Sequence, residues 1–463
     1  MRPLKEEFKE MVRNLLGEEE GDRLCAALNR EPIHSIKSNL SKYFYPEREF
    51  PGAESVAWAS STGYILWDRP NYALIPQWHA GAFYVQEPSS MIYGPIAYYI
   101  TKQLGDRPIR WLDMCAAPGG KTMSILQNVC INSVVVANEF DSRRTSILIE
   151  NLTKWGDDRT VVTTGDTAKF RKTPEAFDVI SVDAPCSGEG MMRKDETARE
   201  QWSPKLVEES AALQREILAN AWEALKPGGY LVYSTCTFNR SENEDNVRWM
   251  IEEFGAENPP LPDFGALPSV DKDIHALRFM PHVTKGEGLF AALLRKPGEM
   301  RERNYTVKKN AKVQLPEPAK KALAYMKLKE DYETEIDKEG NLYCYPKAQY
   351  PFVSFLREKI GGFKYGGIWL GTVKGKDFIP SHALALSTEI KDDAFPVIEL
   401  SREEALDYLR KGTEGVMSAL RRMDNPPKGY LLVTYRLVSL GFVKNLGNRV
   451  NNLYPSNWRL RLN

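Results

Sequence analysis

The sequence predicts an α/β protein whose core is a mostly parallel sheet with helices on both faces. Short β-rich runs alternate with helical patterns between residues 86 and 297, and a glycine-rich turn follows the first of these runs. Alternation of this kind is typical of parallel sheets, because each parallel connection needs a crossover that a helix provides. Ligands of such sheets bind beyond the carboxyl ends of the strands, so the turns there are the first place to look for a site.

The composition sets the broad class. At one domain per roughly 100–200 residues, a chain of 463 residues is expected to contain two to four domains. Its 62 basic and 62 acidic residues balance, so affinity for nucleic acid must come from local patches. Six scattered cysteines do not form a disulfide framework, and no Cys/His cluster has zinc spacing. We therefore expect no metal site. The protein is also expected to be a monomer.

The N-terminal stretch predicts a charged amphipathic helix. Its apolar residues recur at helical spacing from Leu4 through Phe8 and Val12 to Leu15, and Gly17 ends the pattern. The stretch lacks the apolar core of a signal peptide, and no apolar run approaches the roughly 18 residues that a membrane span needs. A cytoplasmic protein with no membrane partner is expected, in which free thiols persist.

Four segments are predicted along the chain. Residues 1–85 form a small N-terminal domain, and residues 86–297 form the alternating α/β region. Residues 298–390 open with a basic linker, 298–312, and continue as a small α+β domain. Residues 391–463 form a compact β-rich module, whose final stretch from Asn425 has six basic residues and no acidic one.

The strands and one long helix of the α/β region can be placed from the pattern. The region from Leu206 to Leu225 predicts a helix with Leu206, Leu213, Ile217, Ala221 and Leu225 on its apolar face, stopped by Pro227-Gly228-Gly229. The predicted strands are Arg110–Cys115, Val134–Asn138, Thr160–Thr164, Phe177–Asp183, Tyr230–Cys236 and Leu289–Leu294.

The first motif, DMCAAPGGKT at Asp113–Thr122, follows a strand and opens a helix. Glycines there let the backbone approach a ligand closely, and a helix N-terminus favours negative charge. A tight turn without any ligand is the alternative at this stage. The spacing is not that of a phosphate loop, which disfavours ATP. The candidate cofactor residues of this turn are Cys115, Ala116, Ala117, Pro118, Gly119, Gly120 and Lys121.

Two acidic residues follow the next two strands. Glu139 lies about 20 residues after the glycine turn, where a carboxylate can accept hydrogen bonds from ribose hydroxyls, and Asp166 could meet an adenine amino group. Each acid alone is more often a helix cap or a solvated side chain. Together, and without a phosphate cradle, they favour S-adenosylmethionine over NAD as the cofactor.

Two cysteines follow neighbouring strands beside this turn. Cys186 lies in DAPCSGEG at Asp183–Gly190, and Cys236 lies in YSTCT at Tyr233–Thr237. A lone cysteine is usually a small buried hydrophobe. A pair at strand ends instead indicates covalent catalysis, in which a nucleophile and a base are both required. The residues alone do not assign the two roles.

At these motifs the sequence resembles the RNA (cytosine-5)-methyltransferases, the RsmB/NOP (NSUN-like) family. Flanking stretches resemble its RsmF (YebU) branch, and no NusB-like domain precedes the α/β region as in the RsmB branch. The flanking stretches are FYVQEPSSM at Phe83–Met91, RKDETAREQWSP at Arg193–Pro204, GEGLFAALLRK at Gly286–Lys296 and GFVKNLGNRVNNLYP at Gly441–Pro455.

The resemblance implies a Rossmann-like class I methyltransferase core and the roles of its site residues. Cys236 is implied as the nucleophile and Cys186 as the thiol that helps release the product, whereas DNA cytosine methyltransferases attack with the cysteine of a PC motif. S-adenosylmethionine is implied to lie on Cys115–Lys121, Glu139, Asp166 and Asp183. Asp183 would also face the cytosine, protonated or hydrogen-bonded near ring nitrogen 3.

The chemistry implied by the resemblance needs two thiols. Carbon 5 of cytosine is a poor nucleophile, and adding a thiolate to carbon 6 makes it enamine-like and able to attack the sulfonium methyl. The proton on carbon 5 must then leave and the thiolate must be expelled. The target base is expected to be flipped out of its stack, because carbon 6 is otherwise unreachable.

The resemblance also implies an RNA partner, 16S rRNA or the small ribosomal subunit, gripped by the N-terminal domain and a PUA-like C-terminal module. The basic linker, the basic tail, Trp58, Trp67 and Trp78 are candidates for RNA contact, although core packing is the alternative for each tryptophan. The rival functions are a tRNA cytosine-5 methyltransferase, a non-catalytic ribosome-assembly RNA-binding factor and a small-molecule methyltransferase.

Overall fold

The fold is that of a computed structural model, which describes residues 2–59, 61–307 and 315–462. Residues 308–312 of the predicted basic linker lie outside the described residues. Across the described ranges, no helix has the length and apolarity to cross a membrane.

The N-terminal segment packs two helices and a small antiparallel sheet. Helix α1 begins after Lys5 and ends at Gly17, whose φ of 88° favours glycine, as the sequence predicted. Phe8 and Val12 are buried against Trp202 of the α/β region. The sheet has the order β2-β3-β1-β4. Its elements are α1 (Glu6–Leu16), α2 (Glu18–Leu28), β1 (His34–Ser38), α3 (Pro46–Glu49), β2 (Glu54–Ser55), β3 (Gly63–Leu66), α4 (Pro76–His79) and β4 (Phe83–Val85).

The α/β region builds most of a nine-stranded central sheet with helices on both faces. Its elements are α5 (Tyr93–Gln103), β5 (Arg110–Asp113), α6 (Gly120–Leu126), β6 (Val134–Glu139), α7 (Ser142–Trp155), β7 (Thr160–Thr164), β8 (Phe177–Asp183), α8 (Glu196–Gln201), α9 (Pro204–Ala224), β9 (Leu225–Thr235), α10 (Glu244–Phe254), β10 (Leu267–Pro268), β11 (Ala276–Phe279) and β12 (Leu289–Arg295). All six residues of β6 are buried. Val134 and Val136 pack on one face and Val135 on the other, as expected of a sheet covered on both sides.

The central sheet is mixed rather than wholly parallel. The five strands β9-β8-β5-β6-β7 are parallel, as predicted, and they form the doubly wound core. Strand β12 was predicted as part of the same alternation but pairs antiparallel with β9. The connection explains the difference, because after α10 the chain adds a hairpin-like edge of β10, β11 and β12.

Helix α9 differs from its predicted apolar face and end. Leu213 is exposed, whereas Gln214 is fully buried, donates to Pro185 and Glu242 and accepts from Tyr233. Gln214 thus takes the core position predicted for Leu213, whereas Ile217 and Ala221 are buried as predicted. The helix ends at Ala224, and β9 already begins at Leu225 and runs through Pro227-Gly228-Gly229.

The third segment forms a sheet of its own, adds one strand to the central sheet and packs one helix against its core. Its elements are α11 (Glu317–Leu323), β13 (Tyr332–Ile336), β14 (Asn341–Pro346), α12 (Tyr350–Lys359), β15 (Phe363–Gly366), β16 (Ile368–Lys374), β17 (Asp377–Pro380) and α13 (His382–Leu386). Strand β15 pairs antiparallel with β7 at the edge of the central sheet. Phe352 of α12 packs edge-on against Phe177 at 5.5 Å, inside the core of the α/β region.

The C-terminal module is a four-stranded sheet with two helices. Its strand order is β18-β19-β20-β21, and its core includes Leu431 and Val433. Arg436 at the β19–β20 turn is ion-paired with Glu49 of the N-terminal segment. Its elements are β18 (Val397–Glu399), α14 (Arg402–Leu409), α15 (Glu414–Arg421), β19 (Gly429–Tyr435), β20 (Val438–Asn445) and β21 (Val450–Asn452).

The C-terminal end of α7 is where three segments meet. Terminal carbonyls of a helix lack partners within the helix and must be satisfied from outside. Here the N-terminal and third segments supply the hydrogen-bond donors for these carbonyls. Lys42 donates to the carbonyl of Lys154 at 2.6 Å, Asn39 to that of Trp155 at 2.9 Å and the Thr388 backbone to that of Gly156 at 3.0 Å.

Candidate active site

The predicted site residues gather at one edge of the central sheet. Strands β6, β5, β8 and β9 are parallel neighbours, so the turns that follow them lie side by side. Glu139 ends β6, the glycine turn follows β5, Asp183 ends β8 and Cys236 follows β9. The order of strands in space thus brings together motifs that are up to about 120 residues apart in the chain.

The two cysteines face each other. Their sulfur atoms are 3.2 Å apart, within hydrogen-bonding distance for thiols, and both side chains are partly buried. The hydrogen bond with Cys236 and burial raise the pKa of the Cys186 thiol well above its usual value. Cys186 is therefore a thiol at neutral pH and can donate its S–H to the Cys236 sulfur.

A charged chain of hydrogen bonds lies beside the thiols. The Lys121 ammonium donates to one oxygen of Asp183 at 2.7 Å, and the Ser234 hydroxyl donates to the other at 2.7 Å. The buried Tyr93 hydroxyl contacts Ser234 at 2.7 Å. Burial opposes the charge of Lys121, but the Asp183 carboxylate outweighs it and raises the pKa of Lys121. Sequence reasoning missed Ser234 and Tyr93, although Ser234 stands within the quoted YSTCT motif.

Asp183 is fixed at both of its oxygens. One oxygen accepts a hydrogen bond from the Lys121 ammonium and the other accepts one from the Ser234 hydroxyl. Hydrogen bonds from a cation are the stronger kind, so the carboxyl group is held in one orientation beside the thiols.

The glycine turn is shaped by its neighbours in the fold. Gly119 has a φ of 112°, in the region that favours glycine. A Cβ added at Gly120 would lie 2.9 Å from the ring of Tyr84 and 3.3 Å from Gln86. Gly120 thus allows close packing of the FYVQEPSSM stretch against the turn. The thiol of Cys115 within the turn has a raised pKa because it is buried beside Asp113, so it is not a candidate thiolate.

Glu139 is joined to the same turn. One of its oxygens accepts the backbone N–H of Ala117 at 3.3 Å, and the other accepts that of Asp141 at 3.0 Å. Arg144 of α7 donates to the carbonyl of Ala117 at 2.8 Å. Phe140, which follows Glu139 in the sequence, has 72% of its surface exposed. A carboxylate and an exposed ring at the end of this strand are groups suited to a nucleoside.

Asp166 lies one strand further out. It follows β7, which pairs with β6, and the backbone N–H of Gly165 donates to the Glu139 carbonyl at 2.9 Å. The exposed Asp166 side chain caps the turn Thr167–Lys172 by accepting the N–H of Ala168 at 2.8 Å. The structure therefore places Asp166 at the same sheet edge as Glu139, with a capping contact of its own.

The three candidate tryptophans differ in their surroundings. Trp58 donates to the Pro88 carbonyl and packs on Phe279, and Trp78 lies under the ammonium of Lys154. Both act in packing. Trp67 has 72% of its surface exposed and is the one that is open to a partner.

Comparison with known proteins matches three stretches of the chain. The model of 16S rRNA methyltransferase RsmB/F matches residues 100–295, that of the N-terminal domain of 16S rRNA methyltransferase RsmF matches 4–88, and that of the methyltransferase RsmF PUA domain matches 395–460.

Two relatives that match most of this chain have the same name. A ribosomal RNA small subunit methyltransferase F of Aliivibrio fischeri is 32% identical over 94% of this chain and 93% of its own length. That of Salmonella paratyphi A is 35% identical over 81% of this chain and 78% of its own. Among solved structures, a methyltransferase homolog protein of Pyrococcus horikoshii superposes with a TM-score of 0.53 and 26% identity, over 62% of this chain and 93% of that one.

Proposed function

Because the chain belongs to the RsmF branch of the RsmB/F family of 16S rRNA methyltransferases, we propose that it methylates carbon 5 of a cytosine in 16S rRNA with S-adenosylmethionine. The observation that carries the proposal is the pair of cysteine sulfurs 3.2 Å apart beside the glycine turn. In such a pair, one thiol can act as the nucleophile that attacks carbon 6, and the other can assist its later expulsion.

The cofactor fits the donor set of the cleft. Cys115–Lys121, Glu139 and Asp166 would hold the nucleoside and its amino acid part, and Asp183 would close the pocket on the side of the thiols. When bound, S-adenosylmethionine supplies an electrophilic methyl group. The buried carboxylate of Glu139 and the exposed ring of Phe140 support this placement.

Cys236 acts first on the substrate. Its thiolate adds to carbon 6 of the cytosine, which forms the S–C6 bond and moves an electron pair toward carbon 5. After methylation, the carbon 5 proton passes to solvent, and the electron pair of that C–H bond re-forms the C5=C6 double bond and expels the Cys236 thiolate. Cys186 assists this release by donating its S–H to the departing Cys236 sulfur. The family implies this order, and the raised pKa of Cys186 is consistent with a thiol that stays protonated until late in the cycle.

Asp183 and Lys121 orient the base. The carboxylate of Asp183 accepts hydrogen bonds and so suits the exocyclic amino group of cytosine, and Lys121 and Ser234 fix its two oxygens. The N-terminal domain and the PUA-like module are proposed to hold the RNA while the target base is flipped into the cleft. A cytoplasmic location follows from an rRNA substrate.

The substrate is tested by supplying labelled S-adenosylmethionine with small subunits, 16S rRNA or bulk tRNA. Label in small subunits or 16S rRNA is expected. Label only in tRNA would move the substrate to the rival class, and no label in any RNA would favour a non-catalytic assembly factor or a small-molecule enzyme. Mass-spectrometric mapping of the labelled RNA would then identify the cytosine.

The order of the two thiols is tested on a denaturing gel with three variants. Cys186→Ala still forms the bond to carbon 6 but resolves slowly, so it should accumulate joined to its RNA. Cys236→Ala and the double variant should form no such band while binding the cofactor normally. A band from Cys236→Ala instead would reverse the two roles.

A further inference from the structure

Two buried carboxylates lie next to the cysteine loops. Glu189 and Glu242 are both fully buried, and neither forms an ion pair with any residue in the described ranges. Burying an unpaired charge is costly unless hydrogen bonds satisfy it. Both carboxylates instead accept hydrogen bonds from neutral donors. These donors belong to the loop that carries Cys186, to the loop that carries Cys236, and to Trp202 and Gln214 beside them.

Glu189 extends from the Cys186 loop to the Cys236 loop. It stands three residues after Cys186, and its carboxylate accepts the backbone N–H groups of Phe238 at 2.5 Å and Asn239 at 3.0 Å. These groups belong to the second and third residues after Cys236. The indole of Trp202 donates to the other oxygen at 2.9 Å.

Glu242 makes the reverse connection. It stands six residues after Cys236, and it accepts the backbone N–H of Ser187 at 3.0 Å and also the Ser187 hydroxyl. Ser187 directly follows Cys186. Gln214 of α9 donates to the same carboxylate at 2.7 Å and to the carbonyl of Pro185, which directly precedes Cys186.

The two connections share a bridge. The side-chain amide of Asn239 donates to Glu189 and to Glu242, at 2.8 Å each. In addition, the backbone N–H of Gly190 donates to the Cys236 carbonyl at 2.7 Å, and a Cβ at Gly190 would lie 2.8 Å from that oxygen. The two loops are thus tied at several points around the sulfur pair.

We propose that Glu189 and Glu242 are positioning residues that hold the two cysteine loops in register, so that the sulfurs of Cys186 and Cys236 stay apposed. The proposal rests on the proposed function for its catalytic meaning. In a glutamine, an NH2 donor replaces one of the two acceptor oxygens, so it faces hydrogen-bond donors that have lost their acceptor. The loops then separate, and the thiols lose the geometry that both steps on the base require.

The test measures thiol apposition directly, without any turnover. Dibromobimane carries two bromomethyl groups, and each loses bromide to a thiolate, so a bridged pair becomes fluorescent. The wild type should bridge Cys186 and Cys236, and Glu189→Gln and Glu242→Gln should bridge them at least about tenfold more slowly. Asp178→Asn is the matched control, because Asp178 is an equally buried carboxylate at the opposite end of β8.

A kinetic measurement accompanies the cross-linking. At saturating RNA and cofactor, the glutamine variants should lose roughly a hundredfold in kcat, the scale of a displacement of about 1 Å, with KM for RNA and cofactor affinity unchanged. Bridging at the wild-type rate in both variants would overturn the proposed positioning role of Glu189 and Glu242. If the wild type labels no RNA but the variants still bridge more slowly than it does, the positioning role of Glu189 and Glu242 stands and the proposed function is rejected. If Glu189→Gln does not fold, Glu242→Gln decides.

Discussion

At the scale of single residues, Glu139 has a structural role and a proposed binding role. It holds the glycine turn through Ala117 and is placed to meet the cofactor. We expect Glu139→Gln to weaken the binding of S-adenosylhomocysteine by about 1–3 kcal/mol, the usual scale for losing a charged hydrogen bond. Calorimetry measures this, with Glu150→Gln on α7 as the control. An unchanged affinity would remove Glu139 from the cofactor site.

Asp113 makes stability depend on pH in a definite direction. Burial raises its pKa to about 6, although hydrogen bonds from Thr122 and Ser181 oppose the shift. Between about pH 4 and 6 the folded state therefore holds a proton that the unfolded state has lost, so this group lowers stability as the pH rises, by about 3 kcal/mol in all.

Asp113→Asn should abolish that part of the pH dependence. The difference in free energy of unfolding between wild type and variant should shift in favour of the variant as the pH rises from 4 to 6, and then level off. Denaturation at several pH values measures it, with the exposed Asp263→Asn as the control. A constant difference across this range would contradict the raised pKa.

The motifs predicted where the site residues lie but not how they are held. Cys186 and Cys236 could be placed at neighbouring strand ends because the parallel order of strands follows from the alternation. Glu189, Glu242 and Asn239 could not be assigned to the loops they connect, because a buried polar contact between two loops leaves no periodic signal in the sequence. The roles of all these residues stay predictions.

At the scale of elements, the pairing of β15 with β7 depends on one glycine. Gly362 has a φ of 77°, and a Cβ there would lie 2.0 Å from the carbonyl of Thr164. Gly362→Ala should therefore destabilise the protein by about 2 kcal/mol or more. The adjacent Gly361 has open space around it, so Gly361→Ala should change stability by no more than about 0.5 kcal/mol. Equal losses in thermal melts would show that the pairing is dispensable.

Element prediction succeeded where burial is regular. The bounds Thr160–Thr164 and Phe177–Asp183 were predicted as they occur, since both runs are rich in β-branched residues and are flanked by glycine or proline. The sequence predicted β12 as a strand but not its direction, because a buried strand has the same composition in either direction. Strand β15 went unrecognised, since its four residues include a lysine and a glycine and its partner lies about 200 residues earlier.

At the scale of the whole molecule, RNA binding must come from local charge, because the net charge is zero. Arg449, Arg459 and Arg461 are exposed in the C-terminal module. Their replacement by alanine should flatten the salt dependence of RNA binding, by up to about 0.9 in slope per lost phosphate contact on duplex and about 0.7 on single strands. Substitution is preferable to deleting the tail from Asn425, which would remove β19, β20 and β21.

The control for this measurement is Lys102→Ala. Lys102 lies in the last turn of α5, which precedes β5, at the edge of the sheet opposite the candidate site. Its variant should retain the wild-type slope. A triple arginine variant with an equally steep slope would mean that these charges are merely solvated.

The late arrival of β15 sets an order of events during synthesis. The ribosome makes Thr160–Thr164 about 200 residues before Phe363–Gly366, which at roughly 5–20 residues per second is a delay of about 10–40 s. Throughout that interval the outer edge of β7 presents unpaired backbone groups, the kind of surface that invites pairing with other chains. The nascent catalytic region is therefore a natural client for chaperones until its own C-terminal half emerges and seals the edge.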